Sequence, residues 1–142
     1  MQHQTSVTWL KGAAALLVGF GLISLPGAHP STSGLAHIMM DLAFWPLDAS
    51  PSGDPPQARL LWAIGSGIIA GWGVMIWMVT SRVYARDPAL GRPIILTAVI
   101  TWFVIDSTGS VLAGAPMNVL YNCGFLLLFV IPLRRPAEVV HG

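Results

Sequence analysis

The residue best placed to do chemistry is Asp106, in the stretch "WFVIDSTGSVLAGAP" of a long apolar run. A carboxylate near the centre of a membrane span costs about 2.5–3.5 kcal/mol on insertion scales, so such a residue faces the bundle interior and has partners. Its candidate partners are close in sequence. Asp106 and Ser110 are four apart and share one helix face, as do Asn118 and Asn122. Between the two pairs lies "AGAP", a connection so short that the flanking helices must be antiparallel neighbours. Folding the hairpin about Ala115 sets Leu112 level with Asn118 and Thr108 level with Asn122. A polar cluster of Asp106, Ser110, Asn118 and Asn122 is therefore expected. Thr108 would stand at its edge, with Tyr121 as a further donor. Two asparagines and a serine can supply several hydrogen bonds to one carboxylate. Such a cluster serves either of two purposes. It can be a proton- or substrate-binding acid at the floor of an outward cavity, or it can be polar contact that locks the hairpin.

A second pair, His37 and Asp41, is spaced by four and so can meet on a helix face. Its chemistry would be proton handling or metal binding, against the simpler expectation of one polar contact on a surface helix. Two ligands make an incomplete metal site, and His3, His29 and His141 show no ligand spacing. No metal and no cofactor are therefore expected. The apolar runs contain no histidine to hold a haem. The HExxH, GxSxG and P-loop motifs are absent from the sequence. A Ser–His or Cys–His pair would need His37. The one cysteine, Cys123, lies in an apolar run and reads as a packing residue, since burial raises a thiol pKa.

The elements that must position these groups follow from composition. Of 142 residues 54% are hydrophobic and 9% charged, far below the quarter that covers a soluble surface, so the lipid bilayer is the expected solvent. A formal charge of +1 without a basic patch implies no nucleic-acid partner. Four runs suit transmembrane helices, at about 8–25, 58–83, 93–113 and 116–133. The first and last are near the short limit of roughly 20 residues. Helices are required because lipid offers nothing to an unpaired backbone group. Pro93 and Pro116 are expected at first helical positions. The first run resembles a signal peptide in its polar start, but "LPGAHP" is a poor cleavage site, so a retained helix is expected.

With a cytoplasmic N-terminus, Arg59 alone of the seven basic residues falls outside. Both termini are then cytoplasmic. Trp9, Trp62, Trp77 and Tyr84 lie near span ends, as an aromatic belt would. Between spans one and two, Leu35, Ile38, Met39, Leu42 and Trp45 recur at helical spacing over residues 35–47. They predict a short amphipathic helix on, or dipping into, the outer membrane surface, started by Thr32 or Ser33. The expected fold class is thus all-α, a single membrane domain of four transmembrane helices plus this outer-surface helix. In span two, Ala63, Gly67 and Gly71 are spaced by four and would form a helix-packing face.

The ordered stretches "DLAFWPLD", "GSGIIAGWGVMIW", "TWFVIDSTGS" and "APMNVLYNCGFLLLFVIPL" together resemble a family of small four-helix bacterial inner-membrane proteins. The resemblance covers Asp41 to Leu133. It implies a multi-pass protein of the bacterial inner membrane and offers no catalytic residue to carry over. The leading expectation is a non-enzymatic accessory or scaffold subunit, packing against a larger membrane complex or as a homo-oligomer through the span-two face. The alternative is a small proton-linked transporter using Asp106. A weaker third is a lipid- or quinone-binding enzyme using His37 and Asp41.

Overall fold

The computed structural model describes residues 2–48 and 55–134. Arg135 and His141 lie outside the described residues, as does most of "SPSGDPP". Five α-helices follow one another: α1 (His3–Ser24), α2 (Gly34–Phe44), α3 (Pro56–Val79), α4 (Pro88–Leu112) and α5 (Met117–Leu133). A 3₁₀ turn, Leu25–Ala28, extends α1, and a π-helical turn, Thr80–Tyr84, extends α3. Three helical stretches, His3–Ala28, Pro56–Tyr84 and Pro88–Leu112, are long and apolar enough to cross a membrane. Gly34–Phe44 and Met117–Leu133 are apolar but shorter.

Three helix starts differ from expectation. Helix α4 begins at Pro88 and not at Pro93, because Asp87 caps it: Asp87 Oδ1 accepts the Leu90 backbone N–H at 2.9 Å. Pro88 takes the first helical position, and Pro93 lies inside the helix, where it supplies no N–H to the Ala89 carbonyl. Helix α1 begins at His3, more than a turn before Thr8. Its added turn is anchored by the His3 ring, which packs on Tyr84 at 5.1 Å between centroids. Tyr84 is consequently a core residue, 1% exposed, and not part of an aromatic belt. Pro116 is the N-cap residue of α5, one position before its first turn.

Helix α1 is the central one. Its apolar window is 39% buried, against 17% for α3 and 22% for α4. Val7, Leu10, Ala14 and Leu17 of α1 form the core with Ile76, Ile95, Val99, Phe129 and Leu133 from the other long helices. The α1–α3 crossing is made by glycines on both sides. A Cβ at Gly21 would come within 2.7 Å of Ala70 N and Ser66 O, and one at Gly73 within 2.9 Å of Ala14 O. The close face of α3 is therefore Ser66, Ala70 and Gly73. Gly67 and Gly71, which with Ala63 make the expected packing face, lie beside it: both are exposed, and a Cβ on either would meet nothing within 4 Å. The physical reason is complementarity. Gly21 and Ala14 make the smooth stripe of α1, and it meets the α3 stripe one residue round from the glycine pair.

Helix α2 packs on the bundle through only part of its apolar face. Ala36 is its buried residue, Met39 and Leu42 are half-buried, and Leu35, Ile38 and Trp45 are exposed. Ser33 is at the N-cap position, but its hydroxyl donates to Pro30 O at 3.2 Å and does not cap the helix.

Candidate functional site

The α4–α5 hairpin closes tightly. Gly114 adopts φ +80°, a conformation that a side chain would strain, and the Ala115 N–H donates back to Ser110 O at 2.8 Å. At the far end of the hairpin Arg92 Nε donates to Leu133 O at 2.7 Å. Helix α5 thus runs beside α4 from its end nearly back to its start.

This register brings Asp106, Ser110, Asn118 and Asn122 together. Asn122 Nδ2 donates to Asp106 Oδ2 at 2.6 Å, and Asn118 Nδ2 reaches the same oxygen at 3.4 Å. Asn118 Nδ2 also donates to Ser110 Oγ at 2.9 Å. Ser110 does not donate to the carboxylate; its hydroxyl turns to the Asp106 backbone carbonyl at 2.7 Å. A fifth member is Ser107, whose Oγ accepts from Asn122 Nδ2 at 3.2 Å. Thr108, expected at the edge, is exposed on the other side of the helix. The signal for Ser107 was present in the sequence, since Phe103, Asp106, Ser107 and Ser110 recur at i, i+3, i+4 and i+7.

Both amide donors converge on Asp106 Oδ2. Oδ1 receives no hydrogen bond from the described residues. Asp106 is half-buried and lines a partly open cavity of about 400 Å³ between the helices. All five helices contribute to its wall: Leu17 and Phe20 from α1, Met39 and Leu42 from α2, Ile69 and Trp72 from α3, Trp102 and Asp106 from α4, and Asn118, Tyr121, Asn122 and Phe125 from α5. Asp106 stands six residues before the end of α4, about 9 Å along the axis, whereas Trp102 is a further turn in. The polar groups of α4 and α5 therefore lie toward the α2 end, and the indoles lie deeper.

No family model, curated protein or solved structure matches the chain. What the site can do therefore rests on its own chemistry. It offers one carboxylate, two amides, one phenol and an aromatic wall.

The remaining candidate residues lie elsewhere. Neither His37 nor Asp41 lines the cavity. Asp41 Oδ1 accepts the Asp48 backbone N–H at 3.2 Å and so ties down the chain after α2. His29 Nδ1 is engaged by Ser31, 2.8 Å from its Oγ. Among the described residues no three His, Cys, Asp or Glu side chains converge. Cys123 is half-buried on α5 and does not line the cavity. Sequence reasoning missed the aromatic wall. Phe20, Trp72, Trp102 and Phe125 come from four different helices, and no local spacing links them.

Proposed function

We propose that this chain is a four-span membrane protein that binds a small molecule inside its bundle, at Asp106, without transforming it. One observation carries this reading: the intramembrane carboxylate is not used up by its hairpin. Ser110 turns away to the backbone, the amides share Oδ2, and Oδ1 remains available beside a cavity. A guest in the cavity can donate to that oxygen without disturbing the hairpin bonds. The polar wall holds no nucleophile–base pair of the kind covalent catalysis requires.

Helix α5 is taken as the fourth span. It has 17 residues, about 25 Å, and the Arg92–Leu133 contact carries it beside α4 through the same slab. The asymmetry of basic residues then favours cytoplasmic termini, with α2 on the outer face above the cavity. A bacterial inner-membrane location follows from the motif resemblance. Proton-linked transport is the dynamic version of the same site, with Asp106 exchanging a proton against the ligand.

A second reading is favoured by a different observation. Gly67 and Gly71 form a smooth, unoccupied strip on the outside of α3, suited to a helix of a larger complex or of a second copy. An accessory subunit would use that strip. Native mass spectrometry after mild detergent extraction separates the two. The binding reading expects a small-molecule adduct that disappears when Leu42→Trp fills the cavity. A stoichiometric protein partner, with no adduct in either form, would instead support the accessory subunit.

A further inference from the structure

The cavity wall indicates which small molecule it takes. Its polar side presents one acid, and no Lys or Arg lines it. Lys11 of α1 is placed elsewhere, 5.7 Å from the centroid of the Trp77 ring. Trp77 is not part of the cavity wall. The deeper side is aromatic. Trp72 and Trp102 are 5.4 Å apart at 45°, Trp102 and Phe125 are 6.5 Å apart at 82°, and Phe20 and Phe125 are 5.5 Å apart at 63°. Rings inclined in this way meet edge to face or tilted, and all four of them line the cavity, so a guest there lies against aromatic surface.

Three classes of guest can be compared. An anion would meet a carboxylate with no compensating positive side chain. A neutral apolar guest would cover Asp106 Oδ1 and leave it without a hydrogen bond, which is costly in a low-dielectric site. A cation bearing N–H satisfies the free oxygen with a charge-assisted hydrogen bond, and the aromatic lining suits a cation better than an anion. We infer that the cavity binds a small organic ammonium with a short apolar or aromatic body. Its N–H donates to Asp106 Oδ1 and its body lies against Trp72, Trp102 and Phe125. The volume, about 400 Å³, fits a compact guest, near the lower end of the roughly 300–1,000 Å³ of small-molecule sites. This inference rests on the cavity being a ligand site.

The test is calorimetric titration of the full chain in lipid nanodiscs, with empty nanodiscs subtracted. Three guests differ only in their head group: 4-phenylbutylamine, 4-phenylbutan-1-ol and 4-phenylbutyrate. The amine is expected to bind about tenfold or more tighter than the alcohol, and the carboxylate not measurably. Asp106→Asn should bring the amine down to the alcohol's affinity. Equal binding of amine and alcohol, or an amine affinity untouched by Asp106→Asn, would overturn the cation assignment while leaving a ligand cavity standing. Binding of none of the three would overturn both. If Asp106→Asn does not fold, Phe125→Leu keeps the acid and its amide donors. It should cut the amine-over-alcohol ratio by roughly twofold to fivefold. An unchanged ratio there would also count against the assignment.

Discussion

Asn122 donates to Asp106 at 2.6 Å across the α4–α5 hairpin, from a side chain that is only 4% exposed. The bond links the two helices at the depth of the cavity, and it occupies one carboxylate oxygen while leaving the other available. Position of the acid and availability of the acid are thus set by the same contact.

The two asparagines should differ in stability cost. Asn122→Ala removes the shorter bond from the more buried donor and also its contact with Ser107, and should fall toward the upper end for hydrogen bonds between membrane helices, which average about 0.6 and reach about 1.7 kcal/mol. Asn118→Ala, whose carboxylate contact is 3.4 Å, should fall toward the lower end. Thermal melts in one detergent, read by near-ultraviolet circular dichroism, compare them. The reverse order would mean that Ser110, not Asp106, is the main anchor of the hairpin.

The glycines of α3 should respond in opposite ways. Gly73→Val pushes a side chain into Ala14 O and Val18, an overpacking worth about 1–3 kcal/mol. Gly67→Ala meets open space and should stabilise the helix by about 0.5–1 kcal/mol through backbone entropy. Thermal unfolding midpoints of the purified protein check both. A Gly67→Leu protein that folds normally but loses a co-purifying partner would locate an interface on this strip.

Arg92 secures the end of α5. Arg92→Ala leaves the Leu133 carbonyl without its side-chain donor and should raise amide hydrogen exchange over the last turn of α5, without affecting the Asn122 end. Site-resolved exchange would show it. Uniform protection along α5 in the variant would rule out an anchoring role.

The orientation can be read by thiol labelling. With Cys123 replaced by alanine, single cysteines at Ser31 and Gln57 should react with an impermeant maleimide from outside intact spheroplasts. A cysteine at Arg86 should react only after lysis. The opposite pattern would invert the topology and turn α2 and the polar end of the cavity to the cytoplasm.

Much of this fold is decided by local sequence. Apolar runs without charge must be helical in lipid, because each backbone group needs a partner within its own segment. The polar hairpin is equally local. "AGAP" leaves no freedom of register, so the i, i+4 pairs Asp106/Ser110 and Asn118/Asn122 meet. Tertiary structure decided everything that depends on two surfaces far apart in the chain. Alanine and glycine cover much of α3, so several stripes are smooth enough to pack. The complementary stripe of α1 at Ala14 and Gly21 selects Ser66, Ala70 and Gly73. The rotation of α2 and the aromatic wall of Phe20, Trp72, Trp102 and Phe125 are likewise agreements among helices. A helical wheel reports which residues share a face of one helix; which face turns inward is a property of the neighbours it meets.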